Sequence, residues 1–282
     1  MNIVTRPSTS HLSSGTGNRR REVSCLVTVP TVCGGSFLGV KQDLGGNENG
    51  GAVTVESAIN LVEYPINLLL HGVGTAGREM EPDEDMFWVT RTLLGEILDL
   101  ALERPEISLS VDDCNTSDVE IILPALTSRG LRATFFPISS RLGRAGSLSG
   151  DGLREIASAG MRVGSHGRRH ISWRRLPESV ATEEFVTARR ELEEIVQQGV
   201  NDAACPFGAY DRSTLRQLRS HGYDHAYTSD AARASAVSWL QPRYTMTSSD
   251  DIGGIRRLVD RGGLGTTRQL DKLRVAVKTH RW

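Results

Sequence analysis

Two short segments of the chain combine residue types that could carry out metal-assisted chemistry. Asp112 and Asp113 end an apolar run typical of a buried β-strand, and His166 and His170 follow a second strand-like run. One carboxylate and two imidazoles are enough to hold a divalent cation while leaving positions open for water and substrate. The remaining carboxylate is then free to act as a base. This combination predicts metal-assisted hydrolysis rather than a binding module.

Other polar or unusual residues also stand where strand-like runs end. His71 follows the apolar run of residues 66–70, and Pro206, Phe207 and Gly208 end another short run. In a barrel of alternating strands and helices, the carboxyl ends of the strands form one rim, where active sites lie. A single His at a strand end is more often structural. The functional interpretation therefore depends on all of these residues converging on the same rim.

The elements that would position these residues alternate along the middle of the chain. Repeated strand–helix units imply a parallel sheet with helices outside it. About seven units over roughly 200 residues favour a barrel over an open sheet, so we expect an α/β fold, a distorted (β/α)7-type barrel. The predicted strands are residues 66–71, 107–112, 131–136, 161–165, 203–207, 225–228 and 238–244, and the predicted helices are residues 83–101, 118–129, 151–159, 178–198, 212–220 and 251–259.

The two ends of the chain differ from this alternating region. Residues 1–62 are rich in Ser, Thr, Gly and Asn and lack periodicity, which predicts a flexible, disordered leader. Residues 63–262 form the predicted catalytic barrel, and residues 263–282 form a basic C-terminal tail. We expect a cytoplasmic location, because no segment has the pattern of a clean secretory signal.

Composition excludes several classes of function. The 33 Lys and Arg residues balance 34 Asp and Glu residues, so net charge gives no reason to expect nucleic-acid binding. No apolar run reaches the length of about 20 residues that a membrane span requires. The four cysteines include no CxxC pair, which argues against a structural zinc site.

Taken together, these segments resemble the polysaccharide deacetylase family, also called the NodB-homology or carbohydrate esterase family 4 domain. The resemblance covers about residues 65–245. The family's motifs are a strand ending in Asp-Asp, a His-x-x-x-His segment and a Pro-aromatic-Gly segment, matched here by Asp112 and Asp113, by His166 and His170, and by Pro206, Phe207 and Gly208. Each motif is short, but their order and spacing together are specific.

The resemblance implies a role for each matched residue. Asp113, His166 and His170 would bind a divalent metal, with zinc as the first choice and cobalt, nickel or manganese as alternatives. Asp112 would be the general base, and the backbone N–H of Phe207 would help to stabilise the oxyanion. The implied reaction removes N-acetyl groups from amino sugars, so the implied partner is an N-acetylated polysaccharide or oligosaccharide.

The chain departs from the usual family pattern at three places. Most members take a general acid from a His on the last barrel strand, which has none here, so His71 is the candidate acid, as in circularly permuted members. The alternative is that His71 only forms hydrogen bonds in the rim. The family's Arg before the third motif is replaced by Ala204, for which Arg243 could substitute, and the usual Gly after the Asp pair is Cys114.

Several residues near the predicted rim are candidates for contacting the substrate. The residues expected to contact substrate are Trp173, Pro206, Gly208, Tyr210 and Arg243. Trp173 could stack on a sugar ring or simply pack near the rim, since Trp serves both purposes.

The sequence leaves two alternative functions open. A hydrolase of another amide or cyclic imide on the same scaffold is one alternative, which the missing Arg keeps open. A non-catalytic glycan-binding domain is another, but it predicts lost metal ligands, and all three ligands are present.

Overall fold

The architecture follows from a computed structural model, which describes residues 65–261. Both the leader and the tail predicted from the sequence lie outside these residues. In chain order, the strands are β1 (Ile66–Leu70), β2 (Gly72–Val73), β3 (Trp88–Val89), β4 (Ile107–Asp113), β5 (Ala133–Pro137), β6 (Arg162–Val163), β7 (Asp202–Ala204), β8 (His225–Thr228) and β9 (Leu240–Thr245). The helices are α1 (Arg91–Glu103), α2 (Leu123–Thr127), α3 (Gly150–Ser158), α4 (Glu178–Thr182), α5 (Ala188–Val196), α6 (Arg212–Ser220) and α7 (Ile252–Arg261).

Seven of the strands form one parallel sheet in the order β6-β5-β4-β1-β9-β8-β7. The first and last strands, β1 and β9, are neighbours, as expected for a barrel. The two outer strands meet through Ser165, whose N–H donates to the Asp202 carbonyl at 2.8 Å and whose carbonyl accepts from the Ala204 N–H at 2.9 Å. The sheet is therefore nearly closed, and the predicted distorted (β/α)7 barrel is confirmed.

Apolar packing holds the strands that carry the site. All five residues of β1 are buried, and β4 is buried at every position except Ser108. Helix α1 covers this part of the sheet with Leu94, Ile97 and Leu98, each at most 2% exposed. Such close packing on both faces of central parallel strands fixes the positions of their carboxyl ends.

The predicted helix over residues 83–101 is wrong in its first half. Residues Glu84–Phe87 form a 3₁₀ turn, and Trp88–Val89 pair with β2 as a short strand. The helix begins only after Thr90, whose hydroxyl accepts a hydrogen bond from the Leu93 N–H at 3.1 Å. The apolar spacing was misleading because Met86 lies exposed in the 3₁₀ turn and Val89 is paired in an extended conformation.

Other element boundaries differ from the predictions in informative ways. The predicted helix over residues 118–129 begins with a π turn, Asp118–Ile122, and the one over residues 178–198 contains another, Glu183–Thr187. The predicted strand over residues 203–207 ends early, because Pro206–Gly208 forms a 3₁₀ turn. No helix between residues 65 and 261 is both long and apolar enough to cross a membrane.

Closure of the barrel depends on a glycine after β6. A Cβ on Gly164 would lie 2.3 Å from a ring carbon of Phe136 and 2.9 Å from the carbonyl oxygen of Asp202. We expect Gly164→Ala to lower the free energy of unfolding by about 1–3 kcal/mol in urea denaturation, because the added methyl group overpacks the interior.

A second glycine provides the control for this prediction. In α1, a Cβ on Gly95 would meet no atom within 4 Å. Gly95→Ala should raise the free energy of unfolding by about 0.5–1 kcal/mol, since glycine is unfavourable inside a helix. Equal urea midpoints for Gly164→Ala and the unaltered protein would contradict the proposed close packing at the closure point.

Candidate active site

The ends of β4 and β6 bring together three side chains that could bind a metal ion. Oδ1 of Asp113 lies 3.6 Å from Nε2 of His166 and 3.5 Å from Nε2 of His170. The three potential ligand atoms all lie within 4.8 Å of one another, and no other group of three such residues is found in the part of the chain that the structure describes. The sequence prediction that these residues converge on one rim agrees with this geometry.

His166 is held in the state that binds metals. Its Nδ1 lies 2.9 Å from the Ala204 carbonyl oxygen, which can only accept a hydrogen bond. The proton is therefore on Nδ1, and the lone pair of Nε2 faces Asp113. Burial lowers the pKa of His166 to about 4, despite the nearby carboxylates of Asp112 and Asp113. The imidazole is consequently neutral at pH 7, as metal binding requires.

His170 has a different supporting group. Its Nδ1 lies 3.3 Å from Oε2 of Glu81 and also 3.3 Å from Nη2 of Arg141, which is itself paired with Glu81. In the tautomer in which Nδ1 donates to the Glu81 carboxylate, Nε2 presents its lone pair towards Asp113, an arrangement common around metal-binding histidines. Sequence reasoning missed Glu81 and Arg141, because neither lies in a motif and no spacing connects them to residue 170.

The donor atoms fit a divalent cation. The distances from Asp113 Oδ1 to the two imidazoles are too long for hydrogen bonds. Tetrahedral zinc, with bonds of about 2.0–2.2 Å, would separate two ligand atoms by about 3.3–3.6 Å. Asp113 Oδ1 is also buried without a hydrogen-bond partner among the described residues. A cation would satisfy this oxygen, which otherwise carries a desolvation penalty.

The neighbouring carboxylate, Asp112, is paired with Arg243 from β9. Both oxygens of Asp112 accept hydrogen bonds from the guanidinium, each at 2.7 Å, and the Arg243 side chain is fully buried. Burial opposes ionisation of Asp112, but the charge of Arg243 and its hydrogen bonds outweigh burial and hold the pKa of Asp112 below its ordinary value. Arg243 thus contacts Asp112, the expected base, as a substitute for the missing family Arg would, rather than a substrate surface.

His71 lies on the same rim, at the end of β1 between β4 and β9. Its ring contacts Phe87 at a centroid distance of 5.1 Å, and its Nδ1 is buried without a hydrogen-bond partner in residues 65–261. Burial would raise the pKa of Asp113, but the charge of His71 and those of His166 and His170 outweigh it and lower that pKa. His71 is therefore close enough to interact electrostatically with the candidate ligand.

The Pro-aromatic-Gly segment presents an exposed aromatic ring beside the ligands. Phe207 adopts a left-handed backbone conformation with φ of 57°, and its side chain is 62% exposed. Its ring lies 4.3 Å from the ring of His170. Pro206 and Gly208 are buried within the same turn. Of these three residues, Phe207 is the one whose side chain can meet a substrate.

Two more of the residues expected to contact substrate, Trp173 and Tyr210, also lie in the interior. Trp173 is 1% exposed and packs edge-on against Phe185 at 4.9 Å. Tyr210 is 3% exposed and donates a hydrogen bond to Asp230 at 2.6 Å. A buried indole offers no face to a sugar ring, so the geometry supports the packing alternative for Trp173.

Comparison with known families agrees with the geometry of the site. Residues 100–226 match the family model described as polysaccharide deacetylase. This part of the chain is therefore similar to polysaccharide deacetylases. The matched residues include the three candidate ligands and Asp112, whereas His71 and Arg243 lie outside the match. The structure, and not the family match, places His71 and Arg243 near the candidate ligands.

Individual proteins are similar to this chain at low sequence identity. YxkH of Bacillus subtilis (strain 168), a candidate polysaccharide deacetylase, is 24% identical over 148 residues, covering 52% of this chain and 53% of YxkH. The match thus spans about half the length of that relative.

Solved structures with a similar fold include two deacetylases. The deacetylase PplD of Streptococcus pyogenes, solved with acetate, has a TM-score of 0.60 and 20% identity over 69% of this chain and 97% of PplD. BC0361, a Bacillus cereus polysaccharide deacetylase, has a TM-score of 0.61 and 15% identity over 70% of this chain and 69% of BC0361. The two structural matches show a shared fold.

Removing Arg243 should leave a buried, uncompensated carboxylate. We expect Arg243→Met to lower the free energy of unfolding at pH 7 by about 3–5 kcal/mol in urea denaturation. The double variant Asp112→Asn, Arg243→Met should recover much of this loss. Because the folded-state pKa of Asp112 is lowered, the ion pair stabilises fully above the unfolded pKa of about 3.9, and its contribution disappears at lower pH. An unchanged unfolding free energy for Arg243→Met would show that the pair contributes nothing.

Metal-free protein should lose stability in acid, because His166 stays neutral in the folded protein while it takes up a proton in the unfolded chain. Its pKa is about 4 when folded and 6.5 ordinarily, so between these values the unfolded chain binds more protons. The free energy of unfolding should therefore fall as pH decreases from 6.5 to about 4. His166→Gln should flatten this slope when denaturation is measured in the presence of a chelator.

His225→Gln is the matched control for this pH dependence. A hydrogen bond with Asp202 raises the pKa of His225, so its contribution to stability has the opposite sign and is lost as pH rises. The acidic slope should persist in this variant. Parallel pH profiles for His166→Gln and the unaltered protein would rule out the assigned protonation state.

Proposed function

We propose that this domain is a metal-dependent hydrolase that removes N-acetyl groups from the amino sugars of a polysaccharide or oligosaccharide. One observation carries the proposal: the buried, unpartnered oxygen of Asp113 faces Nε2 of His166 and of His170, beside a second carboxylate held by Arg243. This arrangement provides separate groups for binding a cation and for moving a proton. The polysaccharide deacetylase family assignment supplies the class of substrate.

Asp113, His166 and His170 would hold the cation, and we propose zinc because two imidazoles and one carboxylate suit it. When bound, such a cation supplies Lewis acidity, which lowers the pKa of water and polarises a carbonyl oxygen. The supporting bonds from His166 to Ala204 and from His170 to Glu81 orient both imidazoles before the cation arrives. Little rearrangement of the protein is then needed on binding.

Asp112 is the proposed general base, which takes a proton from the attacking water. Its lowered pKa keeps it ionised at neutral pH, and the two hydrogen bonds from Arg243 fix the plane of the carboxylate. Asp112 Oδ2 lies 3.7 Å from Nε2 of His166, so the base stands beside the ligand cluster. A base fixed in this way is positioned for proton transfer within hydrogen-bond reach.

His71 is the proposed general acid, which protonates the leaving nitrogen. An amide nitrogen leaves poorly without a proton, so the reaction requires such a group. His71 directly follows the central strand β1 and interacts electrostatically with both Asp112 and Asp113, which supports this role. The backbone N–H of Phe207 is proposed to stabilise the oxyanion, and its exposed ring is proposed to contact a sugar.

A protein with the same fold supports an acetyl group as the acyl part of the amide that is hydrolysed. PplD of Streptococcus pyogenes was solved in complex with acetate, the product expected from an N-deacetylase. A complete set of ligands with a paired base favours hydrolysis over non-catalytic glycan binding. Hydrolysis of a different amide or of a cyclic imide is tested directly by a panel of substrates.

Metal content and acetate release together test the proposed function. We expect about one zinc ion per chain by mass spectrometry in the unaltered protein, and its loss in Asp113→Ala and His166→Ala. Asp112→Asn should keep the metal but release acetate from N-acetylglucosamine oligomers about 10²–10⁴-fold more slowly, because it lacks the base.

Two results would contradict this assignment. Protein that binds no metal after incubation with zinc cannot use the proposed chemistry. Full acetate release by Asp112→Asn would exclude Asp112 as the base. Turnover of a cyclic imide without acetate release from any N-acetylated glycan would replace the proposed substrate class with the alternative one.

A further inference from the structure

The loop between His166 and His170 is supported by one buried carboxylate, that of Glu184. Glu184 is 0% exposed and lies in the π turn Glu183–Thr187, between α4 and α5. Its Oε2 accepts hydrogen bonds from the backbone N–H of Arg168 at 2.9 Å and of Arg169 at 3.4 Å. Because burying a carboxylate is costly without such partners, this contact is a specific feature of the fold.

The same carboxylate also binds side chains of this segment. Oε1 of Glu184 accepts from Nε of Arg169 at 3.2 Å, and Oε2 accepts from Nε1 of Trp173 at 3.4 Å. Four donors from residues 168–173 thus converge on Glu184. The buried position of Trp173 is explained by this contact together with its packing on Phe185.

The loop sequence is adapted to the carboxylate. Gly167 has φ of +76°, and a Cβ at this position would lie 2.4 Å from Oε2 of Glu184. A residue with a side chain would therefore both strain the backbone and displace the carboxylate. The glycine between the two histidines leaves the space that Glu184 occupies.

The separation of the two histidines depends on the shape of this loop. In an α-helix, residues four apart are held by regular backbone hydrogen bonds. Here Gly167 and His170 both have positive φ, so no helix fixes the distance between the imidazoles. Carbonyls of the loop accept from the N–H groups of Ser139 and Ser140, while Glu184 binds N–H groups on the other side.

We propose that Glu184 is a positioning residue for the metal site. It fixes the loop so that His166 and His170 face Asp113 together, without itself touching cation or substrate. This inference rests on the proposed function, because it assumes that the three residues bind a metal. Loss of the carboxylate should weaken zinc binding, and protein saturated with zinc should still catalyse the reaction.

The test compares Glu184→Gln with Glu183→Gln. Glu183 is a matched control, since it lies in the same turn, carries the same charge and, within residues 65–261, pairs with the side chains of Arg168 and Arg169, at 3.9 and 3.4 Å, but not with backbone N–H groups of the loop. Zinc dissociation constants are measured by competition with a chromogenic chelator. We expect about 10–100-fold weaker binding for Glu184→Gln and little change for Glu183→Gln.

Two further readouts separate positioning from general stability. The melting temperature of chelator-treated Glu184→Gln should show that the metal-free protein still folds, and acetate release should recover at saturating zinc. Equal zinc affinities in the two variants would overturn the proposal. Activity that stays low in zinc-saturated Glu184→Gln would also overturn it, since Glu184 would then act in the chemistry itself.

Gly167→Ala disturbs the same contact without removing the charge, and it decides the question if Glu184→Gln does not fold. It should also bind zinc more weakly. Unchanged affinity, or loss of the fold in this variant too, would overturn the proposal, because the contact would then serve the whole fold. Unaltered protein that binds zinc but releases no acetate would contradict the proposed function alone, and the zinc affinities would still test the role of Glu184.

Discussion

Two adjacent carboxylates, Asp112 and Asp113, are buried at the end of one strand, and the surrounding structure must compensate their charge. Like charges this close in a medium of low dielectric constant are unfavourable unless each has a partner. Arg243 compensates Asp112 with two short hydrogen bonds. Asp113 instead faces His166 and His170, a set of donors suited to sharing a cation. The different roles proposed for the two carboxylates follow from these different partners.

The barrel topology supplies these partners from distant parts of the chain. Strand β1 lies between β4 and β9, which brings His71 and Arg243 to the rim where β4 ends. Arg243 is 131 residues away from Asp112 in sequence. On the other side, closure through Ser165 places the Ala204 carbonyl beside His166 and fixes its tautomer. The site therefore depends on barrel closure and cannot form from any single strand–helix unit.

The sequence predicts those features that are encoded locally. Strand ends, turn residues and motif spacing were sufficient for the barrel and for the convergence of Asp113, His166 and His170. Arg243 was expected only as a substitute for the missing family Arg, and its contact with Asp112 joins β9 to β4 across β1, which the neighbouring of first and last strands does not by itself predict. The supporting roles of Glu81 and Glu184 were not foreseeable, since each depends on a long-range contact that leaves no periodic signal. The helix predicted over residues 83–101 failed for a related reason, because apolar spacing does not reveal an N-cap or a short strand pair.

Asp113, His166 and His170 are proposed to form one metal site, and anomalous diffraction at the zinc edge from crystals grown with zinc would locate the bound ion. We expect an anomalous peak about 2.0–2.2 Å from a carboxylate oxygen of Asp113 and from Nε2 of both His166 and His170. No peak at this position, or zinc bound instead by Asp202 and His225 at the amino ends of β7 and β8, would contradict this proposal.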